Sequence, residues 1–415
     1  MKIEECRSCN SKKLKDIISL GEQYVSAFVR DGEDQKNVPK VPLDLVLCER
    51  CNLLQLRHNA PNESMWNDRY GYKSGINRLI KEDLKDILEK SRSLVELYKG
   101  DIVVDIGCND GTMLNFYDKR DELNLVGFEP SGNVAREAEE KGFNIINNFF
   151  NADDYREKFG GKKAKIITAI SMFYDLENPN KFLEDVKSCL DKNGLLTIQQ
   201  NYVVTMLEQN AFDNICHEHR EFYSLNSLEN LLNRHALEVF DVKLNNINGG
   251  SLRTYVKYND SKIKGFEGAG KRLSDIRKKE AKLQLNTPQP YQEFASRIDS
   301  NKKQIIDFLK QEKSKGKTIG LCGASTRGNT ALQYFGITPD LVIAASEANP
   351  DKWGKKTVGT LIPIVSIEEM EKINPDYQLV MIWHLFEGLR NKEKDFMKKG
   401  GKFILPLPEF KVVGN

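Results

Sequence analysis

No stretch of this sequence stays apolar for the ~20 residues that a membrane-spanning helix requires. The opening MKIEECRSCN is charged from its second residue and offers no signal-peptide core. Neither sign of charge dominates: 62 basic against 60 acidic residues leave +2. That balance provides no general field for nucleic acid and no polybasic membrane patch. Repeats at solenoid periods and low-complexity tracts are also missing. What remains, 40% hydrophobic and 29% charged over 415 residues, fits a globular chain of two or three domains. The expectation is a cytoplasmic, monomeric enzyme without nucleic-acid or membrane partners.

Cysteine is sparse but unevenly spread. Four of the eight form two CxxC pairs, Cys6/Cys9 in CRSC and Cys48/Cys51 in CERC. In a reducing compartment such pairs read as thiolate zinc ligands, because each tight turn aims two sulfurs at one tetrahedral ion. Four thiolates close the coordination sphere, so this zinc is structural.

After a polar and aromatic junction, NESMWNDRYGYKSG, apolar residues recur at helical spacing in INRLIKEDLKDILEKSRSLVELY. Strand candidates such as DIVVDIG, LNLVGFEP, KIITAI and GLLTIQQ then alternate with helical patterns, which implies a mostly parallel sheet covered on both faces. A Lys-, Glu- and Gln-rich helical connection, broken near Pro288 and Pro290, leads to a second α/β pattern from KTIGLCGASTRGNT onward. The predicted class is α/β: a zinc-binding lobe over 1–75, a Rossmann-like domain over 76–260, and a helical connection with a second Rossmann-like domain over 261–415.

In VVDIGCNDG, Asp105 ends a strand, Gly107 opens a turn that lets a ligand approach the backbone, and Gly111 lets the next helix begin. Ligands collect at the carboxyl ends of such strands. Asn109 stands where the second glycine of GxGxxG belongs, which disfavours a dinucleotide, and no Walker loop is present. Glu129, closing the next strand, can accept both hydroxyl donors of a ribose. This acid-rich loop with its second-strand acid resembles the S-adenosylmethionine site of class I methyltransferases. Asp105, Gly107, Asn109, Asp110, Gly111, Glu129, Pro130 and Ser171 are the candidate cofactor residues.

Two of the five histidines fall in NICHEHREFYS, after the strand GLLTIQQN. His217 and His219 make a poor metal site: on a strand they share a face but lack a nearby third ligand, and HExxH is absent. An acid/base site fits better, with a carboxylate orienting an imidazole and a phenol donating to a developing oxyanion. A structural polar network and a metal site stay open as alternatives.

Four cysteines, DIGCNDG, HEHxxxY, NGGSLR and a late GASTRGNT, in this order over essentially the whole chain, resemble the sugar C-methyltransferases. Those enzymes (EC 2.1.1.-) methylate nucleotide-linked 4-keto-6-deoxy sugars in branched deoxysugar biosynthesis. The resemblance implies transfer from S-adenosylmethionine to C3 of a dTDP- or GDP-linked sugar through a base-generated enolate. It makes Glu218 and His219 the acid/base pair, with His217, Tyr72 and Tyr223 as further catalytic candidates. Tyr70 and Tyr72 close over the sugar, Asn248 and Arg253 line its pocket, and Arg327, Asn329 and Lys352 hold the nucleotide. Cys216 stands where the family often has tyrosine, and Asn248 where a histidine often precedes GGSLR. A family histidine after the KIITAI strand is absent, with Tyr174 and Asp175 in its place. The alternatives are methylation at C5 or of another small molecule, and a nucleic-acid methyltransferase gripping its polymer with the zinc lobe. The near-neutral charge argues against the last.

The purified protein is expected to carry about one zinc per chain. Metal analysis of wild type and of a Cys6→Ser/Cys48→Ser double variant checks this; zinc retained by the variant would exclude the assignment.

Overall fold

Each zinc knuckle ends in the same way. Asn10 and Asn52 directly follow Cys9 and Cys51, and both lie in the left-handed region, with φ of 55° and 60°. Asparagine tolerates that conformation better than other side chains. Their amides return to the carbonyls of Cys6 and Cys48 at 2.9 Å, closing each turn. The computed structural model describes residues 1–67 and 70–414; Asp68 and Arg69, within the expected junction, and Asn415 lie outside the described residues. Sulfurs of Cys6 and Cys51 lie 3.5 Å apart, and those of Cys9 and Cys48 3.6 Å apart. All four ligand atoms fall within 4.8 Å of one another. A tetrahedral zinc with bonds of about 2.3 Å separates its sulfurs by about 3.8 Å. The four cysteines fit that ion.

The lobe contributes strands β1 (Leu14–Tyr24), β2 (Phe28–Val29), β3 (Lys40–Cys48) and β4 (Leu54–Leu56). Strands β1, β3 and β4 pair antiparallel. The central sheet holds β5 (Ile102–Ile106), β6 (Asn124–Phe128), β7 (Asn144–Ile146), β8 (Ala164–Ile170) and β9 (Leu190–Asn201), all parallel. A short β10 (Glu221–Phe222) leaves that sheet and becomes the fourth strand of the zinc lobe, beside β4. Antiparallel β11 (Leu237–Asn245) and β12 (Ser251–Tyr258) complete the central sheet in the order β11-β12-β9-β8-β5-β6-β7. Strand β5 is buried along its whole length, and successive crossovers go to opposite sides of it. This is a switch point, where the loops splay and a crevice opens.

The third sheet repeats that logic. Its strands are β13 (Ile319–Cys322), β14 (Ala345–Ser346), β16 (Ile364–Val365), β17 (Tyr377–Val380), β18 (Lys402–Leu405) and β19 (Lys411–Val413), in the order β16-β14-β13-β17-β18-β19. Here β13 is the switch strand. Between β14 and β16, β15 (Lys356–Thr357) reaches back to pair with β2 of the zinc lobe. Helices Ala269–Leu283 and Gln289–Ser314 join the two α/β units, and Pro288 and Pro290 mark the start of the second. No described helix is long and apolar enough to cross a membrane.

Arg253 departs from the expectation that it lines a pocket. Its side chain, on β12, is fully buried. Its guanidinium binds Asp83 at 2.8 Å, Asp86 at 2.7 Å and Gln199 at 2.8 Å. The two aspartates belong to helix Arg78–Leu94, so Arg253 clamps that helix to the sheet. Removing one partner of a buried ion pair strands the others without a counter-charge. Arg253→Met is expected to lose about 3–5 kcal/mol of stability, as measured by denaturant unfolding.

Candidate active site

At the carboxyl end of β5 the chain turns through Gly107 (φ 69°) and Asn109 (φ 53°). A Cβ on Gly107 would press on the Met172 side chain at 3.1 Å. Glu129 follows β6, buried, and its two carboxylate oxygens accept the amides of Asn109 at 3.0 Å and Ser131 at 2.8 Å. One backbone donor per oxygen fixes the carboxylate and leaves further lone pairs for a ligand's hydroxyls. Asp105 accepts the Thr168 hydroxyl at 2.7 Å. Burial, with the Glu129 charge adding to it, raises the Asp105 carboxyl to about 7. A cavity is lined by Asp105, Gly107, Asn109, Glu129, Pro130 and Ser171. Ser171 itself has φ 54°, a conformation costing about 1 kcal/mol outside glycine.

Asp110 and Gly111 do not line this cavity. Gly111 (φ 73°) packs where a Cβ would meet Ala138 and Phe143 at 3.0 Å. Asp110 instead accepts the Gly75 amide at 3.1 Å, and Asn109 accepts that of Ser74 at 2.9 Å while donating to the Tyr72 carbonyl at 3.1 Å. Asn133 donates to the Tyr70 carbonyl at 2.8 Å, and Asn349 of the third sheet's unit to that of Gly71 at 3.3 Å. Lys73 bridges Glu137 at 2.7 Å and Asp351 at 3.2 Å. The segment 70–75 is thus strapped down between two domains.

A second, larger cavity lies beyond that strap between the central and C-terminal units. Tyr70, Tyr72, Ile80, Ser171 and Asp175 line both cavities, so the two share a wall. Glu218, His219, Asn248, Arg327 and Lys352 face the second one. His219 Nδ1 lies 2.9 Å from the carbonyl of Asn214. A carbonyl only accepts, so Nδ1 carries the proton and Nε2 is left as a free acceptor. The ring stands edge-on to Tyr174, centroids 4.4 Å apart. Burial, reinforced by the Arg327 cation, lowers its pKa to about 3, so the imidazole is neutral at ordinary pH. Glu218 Oε2 is buried without a hydrogen-bond partner, and burial raises its pKa. Arg327 binds Asp213 at 2.9 Å and the Asn248 carbonyl at 2.7 Å. Lys352 lies 3.2 Å from Glu347. Glu347 accepts the amides of Ala324 at 3.2 Å and Asn349 at 3.0 Å, the same pattern of contacts as Glu129.

Besides Asp110, Gly111 and Arg253, three more expected site residues lie away from both cavities. His217 is buried with Nε2 2.9 Å from the Val41 carbonyl of β3. Tyr223 is buried, donates to Glu221 at 2.9 Å and packs on Phe173. Asn329 is buried on helix Thr326–Phe335 with both amide atoms unpartnered. The first two brace the His219 loop. Arg220 was not foreseen, although it directly follows CHEH. It lines the first cavity, donates to the carbonyls of Asp175 and Ala60, and sits over the Trp66 ring.

Glu129→Ala is expected to weaken S-adenosylmethionine binding by ~1.5–3 kcal/mol, the worth of a hydrogen bond to a charged acceptor. A cationic ligand beside Asp105 favours its ionised form, so binding below its raised pKa must expel a proton. Wild-type affinity should therefore tighten as pH rises through about 7. Calorimetry over that range, on wild type and variant, checks both.

Comparison with known proteins matches three successive stretches of the chain. Residues 6–66 match a zinc-binding domain, 67–242 a methyltransferase domain, and 246–408 a C-methyltransferase C-terminal domain. The C-methyltransferase NovU of Streptomyces niveus is 29% identical over 421 residues, covering 99% of this chain and 97% of that protein. A tRNA U34 carboxymethyltransferase of Campylobacter jejuni subsp. doylei is 29% identical over 108 residues, 24% of this chain and 35% of its own. Among solved structures, an S-adenosylmethionine-dependent methyltransferase of Clostridium acetobutylicum matches with a TM-score of 0.34 at 15% identity, over 45% of this chain and 92% of that one. With three family matches in one order and a relative aligned nearly end to end, the chain is an S-adenosylmethionine-dependent C-methyltransferase with a zinc-binding N-terminal domain.

Proposed function

We propose that the acceptor is a nucleotide-linked 4-keto-6-deoxy sugar, carried on dTDP or GDP, and that C3 is the carbon methylated. The observation that carries the reading is the shared wall: a donor cavity and a larger cavity meet along Tyr70, Tyr72, Ile80, Ser171 and Asp175, and His219, with Nε2 unprotonated, lines the larger one. The sugar-methyltransferase resemblance of HEH, NGGSLR and GASTRGNT supports the choice of acceptor.

S-adenosylmethionine supplies an electrophilic methyl group on a sulfonium. The rest falls to the chain's own residues. Glu129 holds the ribose hydroxyls, and Asp105 sets a negative charge in the donor cavity once ionised. The 4-keto group acidifies C3–H, and His219 Nε2 accepts that proton while the Asn214 carbonyl holds the ring in the required tautomer. Glu218 lies beside it as the second member of the acid/base pair. Arg327 and Lys352 direct positive charge at the diphosphate, each already oriented by a carboxylate. Tyr70 and Tyr72 border both cavities, where they flank the meeting point of sugar and donor and keep water from the reacting carbon.

His219 is neutral well above its lowered pKa, so its titration produces no change in rate near neutrality. His219→Asn is expected to retain both ligands and lose methyl transfer by about 10²–10⁴-fold. Mass spectrometry with dTDP-, GDP- and CDP-linked 4-keto sugars identifies the acceptor. Deuterium wash-in at C3 then isolates proton removal. A variant that exchanges as fast as wild type would move the base elsewhere.

A further inference from the structure

Asp175 closes the short turn Phe173–Asp175 after β8, on the wall common to both cavities. Its backbone carbonyl is held by Arg220 at 3.0 Å, which fixes where the side chain starts. The carboxyl is not held. Its Oδ1 is buried with no hydrogen-bond partner, and no hydrogen bond to Oδ2 occurs among the described residues. A carboxylate in that position would be a buried, uncompensated charge, which is costly unless the group keeps its proton. Burial, then the neighbouring Glu218, hold its pKa well above the usual carboxylate range; Glu221 adds to this and Arg220 opposes it. Tyr70, Tyr174 and Cys216 are other ionisable side chains that feel its charge. An unpaired carboxyl that keeps its proton, on a residue bordering both ligand cavities, offers one thing, an O–H donor.

We propose that Asp175 is a catalytic acid, donating its proton to the C4 oxygen of the keto sugar while His219 removes the proton from C3. Glu218 lines the acceptor cavity but not the donor cavity, whereas Asp175 borders both, where the two reactants meet. The C3–H bond breaks, its proton passes to His219 Nε2, and its electron pair forms the C3–C4 double bond. The carbonyl π pair takes the Asp175 proton, leaving a carboxylate and an enol. As C3 bonds to the methyl carbon, the C–S electron pair stays on sulfur. The enol proton returns to Asp175 and the carbonyl is restored. One proton, on His219, remains for solvent. The negative charge that would otherwise collect on the C4 oxygen in a dry site is thereby neutralised as it forms.

This assignment rests on the keto-sugar reading. The test is C3 deuterium wash-in and methyl transfer by wild type and Asp175→Asn, with S-adenosylmethionine affinity and zinc content measured on both. The expected result is unchanged donor affinity and zinc, with exchange and methyl transfer both slowed by about 100-fold or more. The neutral acid is the active form, so the wild-type rate should fall as pH rises through the raised Asp175 pKa. That alkaline limb should vanish in Asp175→Asn. A variant that exchanges at the wild-type rate, or one that loses only methyl transfer, overturns the proposal. Should the variant fail to fold, the wild-type profile decides, and a flat alkaline side overturns it. If wild type exchanges C3 hydrogen of no 4-keto sugar nucleotide, the reading beneath fails and this assignment falls with it.

Discussion

Two residues, Glu221 and Phe222, pair with Gln55 and Leu54 across the boundary between the zinc lobe and the central domain. The position of His219 depends on that pairing. The amide of Leu56 bonds the Arg220 carbonyl at 2.8 Å, His217 reaches Val41 of β3, and Glu221 lies buried near Arg7 of the first knuckle. The loop that offers His219 and Glu218 to the cavity is therefore an edge of the zinc lobe's own sheet. A lobe this small has little core of its own, and its ion substitutes for one. The four cysteines line neither cavity, yet the lobe they close sets the frame in which the imidazole is aimed.

The site works by withholding water from polar groups rather than by gathering charge. Asp105, Glu129, Glu218 and Asp175 are all raised by burial, and His219 is lowered by it. In each case desolvation favours the uncharged form. The same low-dielectric setting strengthens every interaction with a ligand's charge. In the second cavity Arg327 is paired with Asp213 and Lys352 with Glu347. The second cavity thus sets ion-paired cations beside groups whose uncharged forms burial favours.

Those parts of the site that are local were legible in the sequence. The cysteine knuckles, the glycine turn after β5 and the acid closing β6 each carry their geometry within a few residues, so type and spacing sufficed. Helix breaks at Pro288 and Pro290 were legible for the same reason. Residues whose role depends on a distant partner were not. Arg253 looks like a pocket residue beside two glycines, and only the packing of helix Arg78–Leu94 reveals it as a clamp. His217 and Tyr223 share a motif with His219 but face the opposite side, because the β10 pairing decides which way that loop turns. Arg220 and Asp175 carried a weaker signal, being single polar residues beside a histidine motif and at a strand end. Nothing within ten residues of either says that both come to the donor cavity.

The strap over residues 70–75 is held almost wholly by its main chain. Asn133, Asn349 and Asn109 bind the carbonyls of Tyr70, Gly71 and Tyr72, while Asn109 and Asp110 take the amides of Ser74 and Gly75. Its course is accordingly set by its neighbours' side chains and not by those of Tyr70 and Tyr72. The side chains that the strap turns toward both cavities can be exchanged for others without releasing it, which makes the shape of the cavities a property that can drift while the scaffold stays put.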